Sequence, residues 1–270
     1  MKRADNKFYL DIEQFEEGIE TLRIFTVSVL FAFVKHSDDL KDLIIRNFIA
    51  RGITILKGIL ALYKQGDFQN GWSLYRTLLD RLFHIESLSQ TDEFQLFHDW
   101  CFVKQYEQRN KARSDPLLKS SLDRDFFKES PEEKARYQKL KKKGLDWKRP
   151  YPEDSARRLG LPFLYAHGYD YASMHVHPMS DDGFQDFLDL IGIDSNIEPV
   201  DQSALLNNAC LVLTLLIQEG MNASNLKWVR VAYDFIDNFR ELLNSGSTDY
   251  RVSFLKVSKL FELDHLCSRP

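Results

Sequence analysis

Tyr165, Tyr169, Ser173 and His177 recur at every fourth position in the segment YAHGYDYASMHVHP. On an α-helix, residues four apart lie nearly above one another. Each step overshoots a full turn by about 40°, so the set forms a slanting stripe roughly 18 Å long. Hydroxyls ending in an imidazole suit a face that meets other polar groups: His177 could take or give a proton, while the hydroxyls hold a substrate. The architectural alternative packs the tyrosine rings in a core with each OH satisfied locally. It leaves Ser173 as a small contact residue and His177 at a helix C-terminus, where a cation is favoured.

A second polar cluster, Arg76, Asp80, Arg81 and His84, falls in NGWSLYRTLLDRLFHIESL. Arg76, Asp80 and His84 are spaced by four and share a helical face among Trp72, Leu79, Leu82 and Phe83. As solvated pairs they would contribute a few tenths of a kcal/mol. The apolar density instead predicts partial burial, and a partly buried arginine requires a partner. Asp80 or the hydroxyl stripe could supply it. We therefore expect a polar pocket in which Asp80, His84, Tyr165 and Tyr169 bind ligand. If the protein is an enzyme, His177, Arg76 and Ser173 are its candidate catalytic residues.

Residues 131–149 carry eight basic side chains against three acidic ones, a local +5 in a chain of net charge −4. Lys139, Lys141, Lys142, Lys143 and Trp147 are candidates for contact with RNA through phosphate pairing and stacking; a solvated helical hairpin is the plainer alternative. Other chemistries find little support. His175 and His177 point about 200° apart on a helix and no further ligand cluster has metal spacing, so neither metal nor cofactor is expected. Glycine-rich phosphate loops and G-x-S-x-G are absent. Cys101, Cys210 and Cys267 form no C-x-x-C; the first two sit in apolar runs and read as inert core thiols in a reducing cytoplasm.

The elements that position these residues read as helices nearly throughout. Twelve glycines and eight prolines in 270 residues are few, and long side chains are many, which favours an all-α, multi-helix bundle. Periodicity predicts helices over 11–35, 39–64, 70–88 and 92–113, with the second, apolar on most sides, at the centre. Residues 155–177 read as one helix stopped by Pro178, followed by a short helix over 183–190, an acidic loop at 194–201, and helices over 202–220 and 225–243. The chain reads as one domain with a charged insertion or hairpin at 117–153 and a peripheral tail at 246–270. The N-terminus lacks the pattern of a signal peptide. The longest apolar stretch, residues 24–34, is too short to span a bilayer. A cytoplasmic protein without membrane association is expected, and its aromatic content is compatible with a homodimer.

With Arg76 and Asp80 matching R-x3-[DE], and Tyr165 to Pro178 matching Y-x3-Y-x3-S-x3-H-P, the chain resembles a family of uncharacterised, mostly bacterial helical proteins. The resemblance covers roughly residues 40–245 outside the basic insertion and implies that the two clusters meet in space, with no activity attached. A looser analogy links it to small helical-bundle ribonucleases of bacterial defence and toxin systems, which use R-(x)4–6-H. No arginine stands at that distance before His177. Two functions follow: a binding module for a small polar or phosphate-containing ligand or a protein partner, or a metal-independent ribonuclease. In the latter His177 is general acid or base and Arg76 stabilises phosphate charge.

Overall fold

The computed structural model describes residues 12–121, 124, 128–177, 179–180, 183–192, 202–226 and 229–258. They form eleven α-helices and no strand. In chain order these are α1 (Ile12–His36), α2 (Leu40–Lys64), α3 (Phe68–Thr91), α4 (Phe94–Ser114), α5 (Pro131–Lys143), α6 (Pro152–Arg158), α7 (Asp170–Met174), α8 (Phe184–Ile191), α9 (Ser203–Ala223), α10 (Val229–Ser245) and α11 (Tyr250–Ser258). The protein is all-α. Pro178, expected to stop a helix, the acidic loop at 194–201, and the tail beyond Ser258 with Cys267 lie outside the described residues.

The chain divides into two compact units, residues 1–87 with 150–270, and residues 88–149. In the first, α2 packs against α1 and α9. Asp39 caps α2 by accepting from the Lys41 amide at 3.3 Å, satisfying a helix-end donor. Ile45, Ile49, Leu56 and Ile59 are wholly buried along the helix; each contributes about 1.5–3 kcal/mol by leaving water. Two glycines set the approach of α2 to α9. A Cβ on Gly52 would stand 2.6 Å from Leu216 Cδ2, and one on Gly220 would stand 2.9 Å from Ile45 Cγ2. By length and composition α9 is apolar enough to cross a membrane, and this fold buries most of it among its neighbours.

α10 and α11 close the same core with aromatic rings. Phe25 stacks on Phe235 at 4.1 Å, Phe254 meets Phe235 edge-on at 5.8 Å, and Tyr250 lies 5.1 Å from Phe239. Tyr250 belongs to the weakly periodic end of the chain, yet it is fully buried. At the other end of the core, Asp42 is buried and its Oδ1 accepts from the Asn225 amide at 3.1 Å. That bond ties the turn after α9 to the start of α2.

One expectation about the site's scaffold is corrected. Residues 155–177 are not a continuous helix. α6 stops at Arg158, the Leu161 amide bonds back to the Ala156 carbonyl at 2.9 Å, and Gly160 takes a positive φ of 71°. This is a glycine-dependent helix stop. Pro162 follows and has no amide to donate. The chain then re-enters as a π-helical segment, Leu164–Tyr169, that runs directly into α7. Its wider turn is visible in the Asp170 amide, which bonds to the Tyr165 carbonyl five residues back.

In the second unit α5 lies along α4. Ser130 and Glu133 form a reciprocal capping box, and Pro131 opens the helix. Arg109–Glu133, Arg136–Asp99 and Lys141–Glu107 pair the two helices, and Tyr106 stacks on Tyr137 at 4.1 Å. Glu133, Arg136 and Lys141 of the charge-rich stretch are thus addressed to α4.

Candidate functional site

α3 presents Arg76 and Asp80 one turn apart, and their side chains approach to 3.6 Å. From the π segment and α7 come Tyr169 and Ser173. Arg76 Nη2 donates to the Tyr169 hydroxyl at 2.7 Å and Nε donates to Ser173 Oγ at 3.0 Å. Ser173 Oγ in turn donates to the Tyr169 carbonyl at 2.7 Å. The guanidinium carbon lies 4.7 Å from the Tyr169 ring centroid, a cation–π distance. The two clusters, almost a hundred residues apart in sequence, therefore meet through one arginine.

Burial raises the pKa of the Tyr169 hydroxyl; the charge of Asp80 and a hydrogen bond to it act in the same sense, while Arg76 opposes them. The phenol stays neutral at ordinary pH and accepts from Arg76. A guanidinium has five N–H donors. Two are spent on neutral hydroxyls, and Asp80 lies just outside hydrogen-bond range. Three donors remain on a side chain that is 24% exposed.

The structure brings together Arg76, Asp80, Tyr169 and Ser173. Tyr165 joins at the edge, stacked on Tyr169 at 6.2 Å between centroids. His84 turns elsewhere: its Nδ1 donates to the Asp80 backbone carbonyl, and its ring meets Phe48 edge-on at 6.3 Å. His177 lies past the end of α7, exposed, and among the described residues its side chain makes no hydrogen bond, ion pair or ring contact. The neighbouring His175 is the histidine built into the packing, stacked on Trp72 at 6.3 Å and set against Tyr171.

In the second unit Lys139, Lys142 and Lys143 are exposed, and Lys141 bonds Glu107 at 2.6 Å. Trp147 is buried, with Phe97 and Trp100 each 4.8 Å away. Its ring is occupied in packing, so the interleaved aromatic has no open face to offer a base. No group of three His, Cys, Asp or Glu side chains placed to hold a metal occurs among the described residues. Burial pushes the Cys210 thiol up to about 12 and raises that of Cys101, which suppresses nucleophilic thiolate at both.

Two arginines with structural claims of their own are absent from the sequence reading. Arg158 grips the buried Glu86 with Nε at 2.6 Å and Nη2 at 2.8 Å. Arg240 on α10 donates from Nε to Thr214 Oγ1 at 2.9 Å, and its buried Nη2 has no hydrogen-bond partner among the described residues. Position was the available signal: Glu86 and Arg240 both flank apolar seams, Ile85 and Leu88 beside one, Ile236 and Leu243 beside the other.

These features define an all-helical protein whose polar centre is an arginine shared between a long helix and a π-interrupted one. The chain belongs to a family of unknown function (DUF5677), whose model matches residues 42–195, more than half of its length. No curated protein and no solved structure matches it. The matched stretch includes Arg76, Asp80 and the whole hydroxyl stripe, and ends before Arg240.

Proposed function

We propose that the protein is a binding module for a small phosphate-containing ligand, seated on Arg76 with Tyr169 and Ser173 as orienting groups. The observation that carries this reading is the incomplete commitment of Arg76. Its charge faces one carboxylate at 3.6 Å, its direction is fixed by two hydroxyls, and three of its donors are left over at a partly exposed surface. A preoriented guanidinium fork matches the oxygens of a phosphate monoester. The ribonuclease reading needs His177 beside Arg76. Among the described residues the groups touching Arg76 are Tyr169, Ser173 and Asp80, so binding stands ahead of cleavage.

Titration of the wild-type protein with glycerol 3-phosphate, followed by phosphorus NMR at constant ionic strength, tests the reading. Saturable binding that glycerol alone does not reproduce supports it. A phosphorus resonance unmoved by the protein at millimolar ligand would end it. Incubation of RNA with the protein in EDTA decides the alternative, since cleavage abolished by His177→Ala would replace binding with catalysis.

A further inference from the structure

Within the first unit, a cavity of about 260 Å³ lies between α3, the π segment, α9 and α10. Its walls are mainly apolar, with Leu164, Leu211, Val212 and Leu215 among them. Tyr75, His167, Asn208 and Arg240 are the polar residues along the lining. The space exceeds the roughly 150 Å³ of an apolar cavity that admits a benzene ring. Polar side chains set in an otherwise greasy cavity are the usual composition of a small-molecule site.

Arg240 is poorly compensated. Its Nε meets only the neutral Thr214 hydroxyl. Its Nη1 lies 3.6 Å from Asp237, which is 73% exposed and largely screened by water. Its Nη2 is buried, with no hydrogen-bond partner among the described residues. Burial lowers the pKa of Arg240, and the charges of Asp237 and Glu219 only partly oppose it. The side chain is still 22% exposed, and a guanidinium that meets only a neutral hydroxyl and a screened carboxylate can take an anionic acceptor on its accessible side.

We propose that this cavity binds a small apolar monocarboxylate, with its tail among the leucines and its head on Arg240. A monocarboxylate matches the single guanidinium charge one to one, and its tail matches the apolar walls. The carboxylate accepts charge-assisted hydrogen bonds from the accessible part of the guanidinium. The site is separate from the Arg76 cluster and does not depend on the reading given to it.

Calorimetric titration with octanoate and with 1-octanol, its neutral counterpart, tests the proposal on the full chain. Wild type should bind one octanoate saturably, at least tenfold more tightly than 1-octanol. Arg240→Met should abolish that preference, and Arg240→Lys should keep part of it. Leu215→Trp, which fills the cavity, should remove binding of both ligands. Failure of wild type to saturate, equal affinity for the alcohol, or an undiminished preference in Arg240→Met would each overturn the proposal. Should Arg240→Met fail to fold by circular dichroism, the octanol comparison and Leu215→Trp still decide. Glycerol 3-phosphate binding should survive Leu215→Trp, so loss of one ligand is distinguishable from loss of the other.

Discussion

Arg76 holds Tyr169 in two ways: Nη2 donates to its hydroxyl at 2.7 Å, and the guanidinium lies 4.7 Å from its ring centroid. One side chain on α3 thus fixes both the position and the rotation of a residue on the π segment. The same arginine reaches Ser173 on α7. Removing the tyrosine hydroxyl should therefore cost less than removing the arginine. Tyr169→Phe keeps the ring contact and should lose about 1 kcal/mol. Arg76→Met loses both hydrogen bonds and the cation–π contact, and should lose about 2–4 kcal/mol. At roughly 2–4 °C per kcal/mol for a chain of this size, thermal unfolding resolves the two. Equal midpoints would show that the arginine does not clamp the segment.

The pair Glu86–Arg158 predicts an asymmetry. Glu86 is 4% exposed and Arg158 is 43% exposed. Arg158→Met strands a buried carboxylate and should destabilise by about 3–5 kcal/mol. Glu86→Gln leaves an arginine that water can reach, so the loss should be nearer 1 kcal/mol. Denaturant unfolding of both variants measures the difference, and a larger loss in Glu86→Gln would contradict the burial argument.

Glu219 predicts a pH dependence. Burial raises its pKa above the usual carboxylate value; a hydrogen bond from Asn222 lowers it, the charge of Glu86 raises it, and Arg240 lowers it. A carboxyl that holds its proton more tightly when folded contributes stability that is fully present below the unfolded pKa. That stability is lost as pH rises through the folded value. Glu219→Gln should thus be more stable than wild type at pH 7, and the gap should close as the pH falls to about 4. Unfolding midpoints across that range give the sign directly, and a gap that widens on acidification would reverse it.

His177→Ala should change stability by less than about 0.5 kcal/mol, because the imidazole is exposed and bonds nothing among the described residues. A fall of several degrees in the unfolding midpoint would reveal a structural role for the ring.

Much of the scaffold was legible in the sequence. The second helix, apolar on most sides, reads as central, and the spans 39–64 and 92–113 lie within two residues of α2 and α4. The need of Arg76 for a partner was legible too, from Trp72, Leu79, Leu82 and Phe83 around it. What periodicity missed is the break between Arg158 and Tyr169. Four-residue spacing presumes 100° per residue, and a π turn changes that angle without any signature in hydrophobic pattern. Gly160 and Pro162 were the local signals. His177 fell out of the stripe because α7 ends at Met174, one turn earlier than the pattern implied. Arg240 escaped notice because its significance is tertiary: only packing shows which of its donors are left without acceptors.

The most direct measurement of the central claim is calorimetric titration of glycerol 3-phosphate into wild type, Arg76→Gln and His177→Ala. Our account predicts saturable one-to-one binding to wild type and a loss of at least tenfold in Arg76→Gln, the worth of a charged hydrogen bond at about 1.5–3 kcal/mol. His177→Ala should bind as wild type does. Equal affinity in Arg76→Gln, or no binding to wild type, would contradict it and leave Arg76 as a clamp between helices.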